Sequence, residues 1–217
     1  MDKVDIYCER IDGSFWSEPA NAITNIAFII AALACLNLMV RRDRVEPLTI
    51  LLFIVLCCIG TGSFLWHTFA EGWAGAADTI SILVFILIYL YAATRRFFDA
   101  PVWMSAAVPI LFIPSAVGFM AAWSATLPSV NGSEGYFPVL LIIIIYGVAL
   151  WRLGHGAAGG MIATAALLSL SLTFRSVDEA VCGAFPLGTH FMWHILNGVL
   201  LGVVFAAFIR HGAPKAA

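Results

Sequence analysis

Long apolar stretches recur along the chain, separated by short polar segments that hold most of its charged residues. A membrane-spanning helix needs about 20 predominantly apolar residues. Stretches at roughly 20–40, 47–66, 78–94, 102–124, 136–152, 159–175 and 188–209 meet or approach that length, and they predict seven spans. Each is continuously apolar instead of alternating, which excludes the strands of a membrane β-barrel.

Composition turns this pattern into a class. The 217 residues are 62% hydrophobic and only 11% charged, against about 45–50% and about 25% in soluble domains. A chain of this length has too little interior to hide the excess, so the surface itself must be apolar. The expected protein is all-α and integral to the membrane. It is a single membrane domain over 1–217, with an acidic segment at 1–18 and a seven-helix bundle at 20–209. Net charge is -2 and no basic run is present, which excludes nucleic acid as a partner. Membrane lipid is the partner expected, and no protein partner is evident.

Charge orients the bundle. Arg41, Arg42, Arg44, Arg95, Arg96, Arg152, Arg210 and Lys215 follow the odd-numbered spans, whereas Lys3, Arg10 and Arg175 lie on the other side among Asp2, Asp5, Glu9, Asp12, Glu18, Glu71, Asp78, Glu134, Asp178 and Glu179. Eight of the eleven basic residues thus share one face, which the positive-inside rule makes cytoplasmic. The N-terminus is expected outside and the C-terminus inside, with the polar site on the outer face. Residues 1–18 lack the basic start and apolar stretch of a signal peptide, so span one is expected to serve as the insertion signal. Cys35, Cys57 and Cys58 read as apolar packing residues. Cys8 and Cys182 both fall outside, where an oxidising compartment permits pairing; two free thiols are the alternative.

Candidate chemistry sits at the ends of spans. His190 and His194 are four apart, which places them on one helix face, and Ser63 and His67 have the same relation at the end of span two. By the charge-derived topology these groups share one level with Asp78 at the start of span three. Three neutral nitrogen ligands suit zinc and leave its fourth position open. Zinc lowers the pKa of bound water to about 7. Asp78 is the expected proton acceptor, and Ser63 the donor to a developing oxyanion, although a Gly-Ser step also permits close helix packing.

Other polar positions have plainer readings. His155 and His211 are interfacial residues on the basic side. Arg175 is expected to pair with Asp178 and Glu179, Asn21 and Asn25 to bridge helices, and Trp66, Trp73, Trp123, Tyr136 and Trp193 to form interfacial belts. The segment Asp5-Ile6-Tyr7-Cys8-Glu9-Arg10-Ile11-Asp12, followed by Glu18, reads on composition as a solvated acidic terminus. Its alternating carboxylates also resemble oxygen ligation of calcium.

Taken in order, Tyr7-Cys8-Glu9 with Glu18 and Asn21, Gly62-Ser63-Phe64-Leu65-Trp66-His67, Asp78, Asp178 to Cys182 and His190 to His194 resemble the alkaline ceramidase family. That family falls within the seven-span membrane hydrolases that include the adiponectin and progestin receptors. The resemblance spans nearly the whole chain, and its compact loops suggest a bacterial member, expected in the inner membrane with its site toward the periplasm. It implies a zinc amidase that cleaves the N-acyl bond of ceramide-like lipids, releasing fatty acid and a sphingoid base. It further implies His67, His190 and His194 as zinc ligands completed by Ser63 and Asp78, and a Cys8–Cys182 disulfide. It also implies calcium (Ca2+) beside the zinc (Zn2+), held by ligands drawn from Asp5, Tyr7, Glu9, Ile11, Asp12 and Glu18. The chain departs from the family pattern by one extra residue between Asp5 and Cys8, by Ile11 where an asparagine is expected, and by a shorter gap from Glu9 to Glu18.

Two other functions fit the same residues: a non-enzymatic lipid receptor with a structural zinc, and a haem-binding electron carrier. A transporter is disfavoured because no span shows a paired, Gly/Pro-broken centre.

Overall fold

The computed structural model describes residues 3–213; Asp2 and Lys215, which enter the charge count, lie outside the described residues. Seven helical stretches are long and apolar enough to cross a membrane, and no strand occurs among the described residues. The first is a broken pair, α1 (Pro19–Thr24) and α2 (Ile26–Arg41). Then come α3 (Pro47–Phe69), α4 (Gly72–Phe97), α5 (Val102–Thr126), a 3-10 turn (Ser133–Tyr136) leading into α6 (Phe137–Arg152), α7 (Ala158–Val181) and α8 (His190–His211).

Local chemistry explains the boundaries. Pro19 and Pro47 open α1 and α3, where a missing N–H costs nothing and the fixed φ is already helical. The break after Thr24 falls at Asn25, whose amide donates to the Asn21 carbonyl at 2.8 Å. Asn21 in turn donates to Glu18 at 3.1 Å. Both side-chain amides therefore donate within their own segment instead of to another helix.

Two helices run further than their apolar stretches predict. α4 begins at Gly72 instead of 78, because Gly72-Trp73-Ala74-Gly75-Ala76-Ala77 is compatible with helix without being strongly apolar. α7 continues past 175 to Val181, carrying Arg175 and Asp178 inside the helix, where tertiary partners compensate their polarity.

α8 is the centre of the bundle. Its Phe205, Phe208 and Ile209 are fully buried against Leu52, Leu56 and Ile59 of α3 and Met39 of α2. α5 lies at the periphery, where Ile110, Leu111 and Val117 are more than half exposed. Large apolar side chains facing outward all along a helix are what a lipid surroundings requires.

The two ends of the bundle differ in character. At one end the Arg44 guanidinium donates to the carbonyls of Ile209 and Gly212 at 3.3 and 2.7 Å, and to Glu46, which also pairs with Arg96. A cation on the free carbonyls of a helix C-terminus is electrostatically favourable. At the other end an N-terminal strap, residues 3–18, folds over the helices. Val4 N–H donates to the Ala70 carbonyl at 2.9 Å, and Lys3 pairs with Glu71 at 2.9 Å. Cys8 is disulfide-bonded to Cys182, with their Cα atoms 5.4 Å apart.

Candidate metal centre

Beneath this strap the three histidines converge. His67 lies in the last turn of α3, His190 is the first residue of α8, and His194 follows one turn later. One ligand atom from each falls within 4.8 Å of the others, and no other group of three or more such residues exists among the described residues. Each histidine is only 1% exposed. Ring centroids are 4.6, 4.7 and 5.1 Å apart, too close for a macrocycle to be sandwiched between any two.

Each ring is oriented by a different partner. Glu18 accepts from His67 Nδ1 at 2.5 Å; a carboxylate only accepts, so the proton resides on Nδ1 and the Nε2 lone pair is free. Thr24 Oγ1 donates to the Ala20 carbonyl at 2.7 Å and meets His194 Nδ1 at 3.1 Å. That geometry makes the hydroxyl oxygen the acceptor and again frees Nε2. His190 stacks on Tyr7 with centroids 3.9 Å apart, and its Nδ1 is buried with no hydrogen-bond partner. An orphaned ring nitrogen in a dry site is costly. A metal on that nitrogen would remove the cost, and the three-histidine donor set fits an imidazole-preferring divalent ion.

Asp178 fixes the height of α8. It is completely buried, and its carboxylate accepts from the N–H groups of Thr189, His190 and Cys8 at 2.6, 2.9 and 3.1 Å. Three N–H donors on one carboxylate satisfy the free start of α8 and lock the strap to it. Gly188 makes this possible: at φ +64°, a Cβ there would lie 2.2 Å from Asp178 Oδ1 and 2.5 Å from Cys8 Cβ.

Asp78 and Ser63 line one pocket together with Trp193 and Asn197, which flank His194 on α8. Asp78 lies six residues inside α4 (78 − 72) instead of at its start, and its Oδ1 is buried without a partner. The close approach of α3 and α4 depends on Gly62, where a Cβ would sit 2.8 Å from the Ala77 carbonyl and 3.1 Å from Asp78 N. The pocket runs along α4 from Asp78 to Tyr89, between walls that include Phe85, Ile143, Leu168 and Leu201. Its polar lining is Ser63, Asp78, Tyr89, Tyr136, Thr164 and Asn197, and the rest is predominantly apolar.

Arg175 differs from its expected role. Its guanidinium lies 5.3 Å from the Trp193 ring centroid and 5.7 Å from that of Tyr136, a cation–π arrangement, while Asp178 is engaged by backbone N–H groups. Trp193 and Tyr136 accordingly line the pocket and do not form an interfacial belt. Trp73, at 48% exposed, does face outward. Burial raises the Tyr7 phenol above its ordinary pKa, against the opposing pull of the nearby Arg175.

No three of the candidate calcium-binding carboxylates gather into one group among the described residues, although Glu9 and Glu18 both bond to Asn21. Glu9 accepts from the N–H groups of Ala20 and Asn21 at 2.6 and 2.8 Å, capping α1; burial raises its pKa and those two donors oppose the rise. Glu18 is held by Arg10, Asn21 and His67. Burial raises its pKa too, opposed by the Asn21 amide and the Arg10 charge. Asp12 accepts from the Ser14 side chain and from its N–H, the latter at 2.8 Å, and these bonds lower its pKa. Tyr7 faces the histidines, Ile11 is 85% exposed, and Asp5 is exposed.

No family model matches this chain, and no characterised protein matches it in sequence.

Proposed function

We propose that the protein is a membrane-embedded, zinc-dependent hydrolase of the N-acyl amide bond in ceramide-like lipids, releasing a fatty acid and a sphingoid base. One observation carries this reading: a buried trio of histidines that could hold a metal shares its helix turns with Ser63, Trp193 and Asn197, which line a long apolar pocket together with Asp78. A structural metal site is ordinarily closed by four protein ligands, and a catalytic one keeps three with a place left over.

His67, His190 and His194 would hold the zinc. When bound, zinc acts as a Lewis acid toward the amide carbonyl and lowers the pKa of water. Asp78 accepts a proton from the attacking water and delivers it to the leaving nitrogen as the C–O bond forms and the C–N bond breaks. Ser63 donates to the carbonyl oxygen as it gains charge. The strap and the apolar walls exclude bulk water, and the acyl chain enters the pocket from the bilayer. By the positive-inside rule the histidine end faces away from the cytoplasm, which fits a bacterial inner membrane protein with a periplasmic site. Oxidised Cys8 and Cys182 at that end support the same sidedness.

The test combines elemental analysis of the purified protein with mass spectrometry of ceramides before and after incubation. The expected result is about one zinc per chain (three ligands and one open position) and release of free fatty acid that stops in Asp78→Asn. Lipid retained without turnover, with Asp78→Asn indistinguishable from wild type, makes the protein a receptor instead.

A further inference from the structure

Calcium was expected beside the zinc site, yet the oxygen atoms there surround a side chain. The Arg10 side chain is 1% exposed, and its Nε lies 2.5 Å from Glu18 Oε1. Nη2 donates to the His67 carbonyl at 3.1 Å, and Nη1 to the Asp12 carbonyl at 3.2 Å. One carboxylate and two backbone carbonyls, from the strap, the start of α1 and the end of α3, are the kind of oxygen donors a hard divalent cation collects. The His67 carbonyl belongs to the last turn of α3, where free carbonyls favour positive charge. A planar guanidinium with its fork of five donors suits such dispersed acceptors better than an ammonium does.

We propose that Arg10 is a built-in cation, standing where a bound calcium would otherwise join the strap to the histidine site, and that this chain needs no second metal. The carboxylate through which it acts has one oxygen on Arg10 and the other on His67 Nδ1. Arg10 is therefore a positioning residue: it holds Glu18, and Glu18 holds the His67 ring. Two further contrasts support the assignment. Glu9 turns both its oxygens toward the α1 N–H groups, and position 11 offers an exposed isoleucine instead of a polar ligand. The oxygen set around Arg10 thus supplies three of the six to eight donors calcium takes, and in the wild-type chain all three are engaged by the guanidinium.

The experiment uses the full-length protein, with calcium and zinc measured together by elemental analysis and thermal unfolding followed with and without millimolar calcium chloride. Wild type is expected to contain no stoichiometric calcium and to unfold at the same temperature in both conditions. Arg10→Gln is expected to lower the unfolding temperature, to weaken zinc retention about tenfold or more as other supporting-shell losses do, and to gain a calcium-dependent rise in unfolding temperature. Arg10→Lys should fall between the two. If Arg10→Gln does not fold, the charge-balanced Arg10→Gln/Glu18→Gln double variant takes its place and should show no response to calcium. Wild type that carries one calcium per chain overturns the proposal. So does an Arg10→Gln protein that calcium leaves unchanged, or a double variant that calcium stabilises. Absence of zinc from every preparation would instead refute the metal-centre reading and leave the calcium comparison standing.

Discussion

Glu18 accepts a hydrogen bond from His67 Nδ1 at 2.5 Å across a sequence separation of 49 residues. The carboxylate fixes the tautomer and angle of a ring that clusters with His190 and His194. Supporting carboxylates of this kind typically change metal affinity by about 10–100-fold when removed. Glu18→Gln is therefore expected to weaken zinc binding by that factor, measured by competition with a chromogenic chelator. Thr24→Val, which removes the acceptor for His194, should weaken it by less, because a neutral partner contributes less than a charged one. Unchanged zinc affinity in Glu18→Gln would exclude the orienting role.

How much of this was legible beforehand follows from range. The seven spans are properties of local composition, and the apolar runs located all of them. The three histidines were legible because helix periodicity joins His190 to His194, and because charge placed the end of span two level with the start of span seven. The role of Glu18 was not legible: nothing near it in sequence distinguishes a carboxylate facing a histidine from one facing a cation. Arg175 and Asp178 are three apart, a spacing that suggested an ion pair, yet each found a stronger tertiary partner. Asp178 took the free N–H groups at the start of α8, and Arg175 took the faces of Trp193 and Tyr136. The glycine before Thr189 was the one available sign that something approaches the start of α8 closely.

Gly188→Ala tests that approach. Its φ of +64° disfavours alanine, and the added carbon would collide with Asp178 Oδ1 and Cys8 Cβ. The strap and α8 must separate to admit it, and Asp178 then loses donors while remaining buried. An unsatisfied buried charged group costs about 3–5 kcal/mol. Gly188→Ala and Asp178→Ala are both expected to lower thermal stability markedly and to release zinc, since His190 and His194 ride on the same helix start. Normal zinc content in a destabilised Asp178→Ala would show that α8 does not need this cap to present its ligands.

The Cys8–Cys182 disulfide closes a loop with a sequence separation of 174. Loss of a native disulfide typically costs about 2–5 kcal/mol. Cys8→Ser and Cys182→Ser should therefore lower the unfolding temperature to a similar extent, and the double variant should be no worse than either single one. Because the same strap carries Tyr7 onto His190, zinc should also exchange faster in all three. Additive losses in the double variant would mean that the cysteines act separately.

The apolar pocket makes a prediction about substrate length. Asp78 and Tyr89 both line it and are eleven residues apart on α4, a rise of about 16 Å at 1.5 Å per residue. Ile86 lies between them on the same wall, so a larger side chain there narrows the passage beyond the reacting end. In Ile86→Trp, long N-acyl substrates should lose turnover while short ones retain it. Each displaced methylene is worth about 1–3 kcal/mol, or roughly 10–200-fold in discrimination. Zinc content serves as the control, because Ile86 touches no ligand. Native mass spectrometry of retained lipids reads the same preference without turnover, and therefore also applies if the protein binds lipid without cleaving it. A uniform loss across all chain lengths would place the acyl chain elsewhere, since only a group lodged beside Ile86 makes the penalty depend on how far the chain extends.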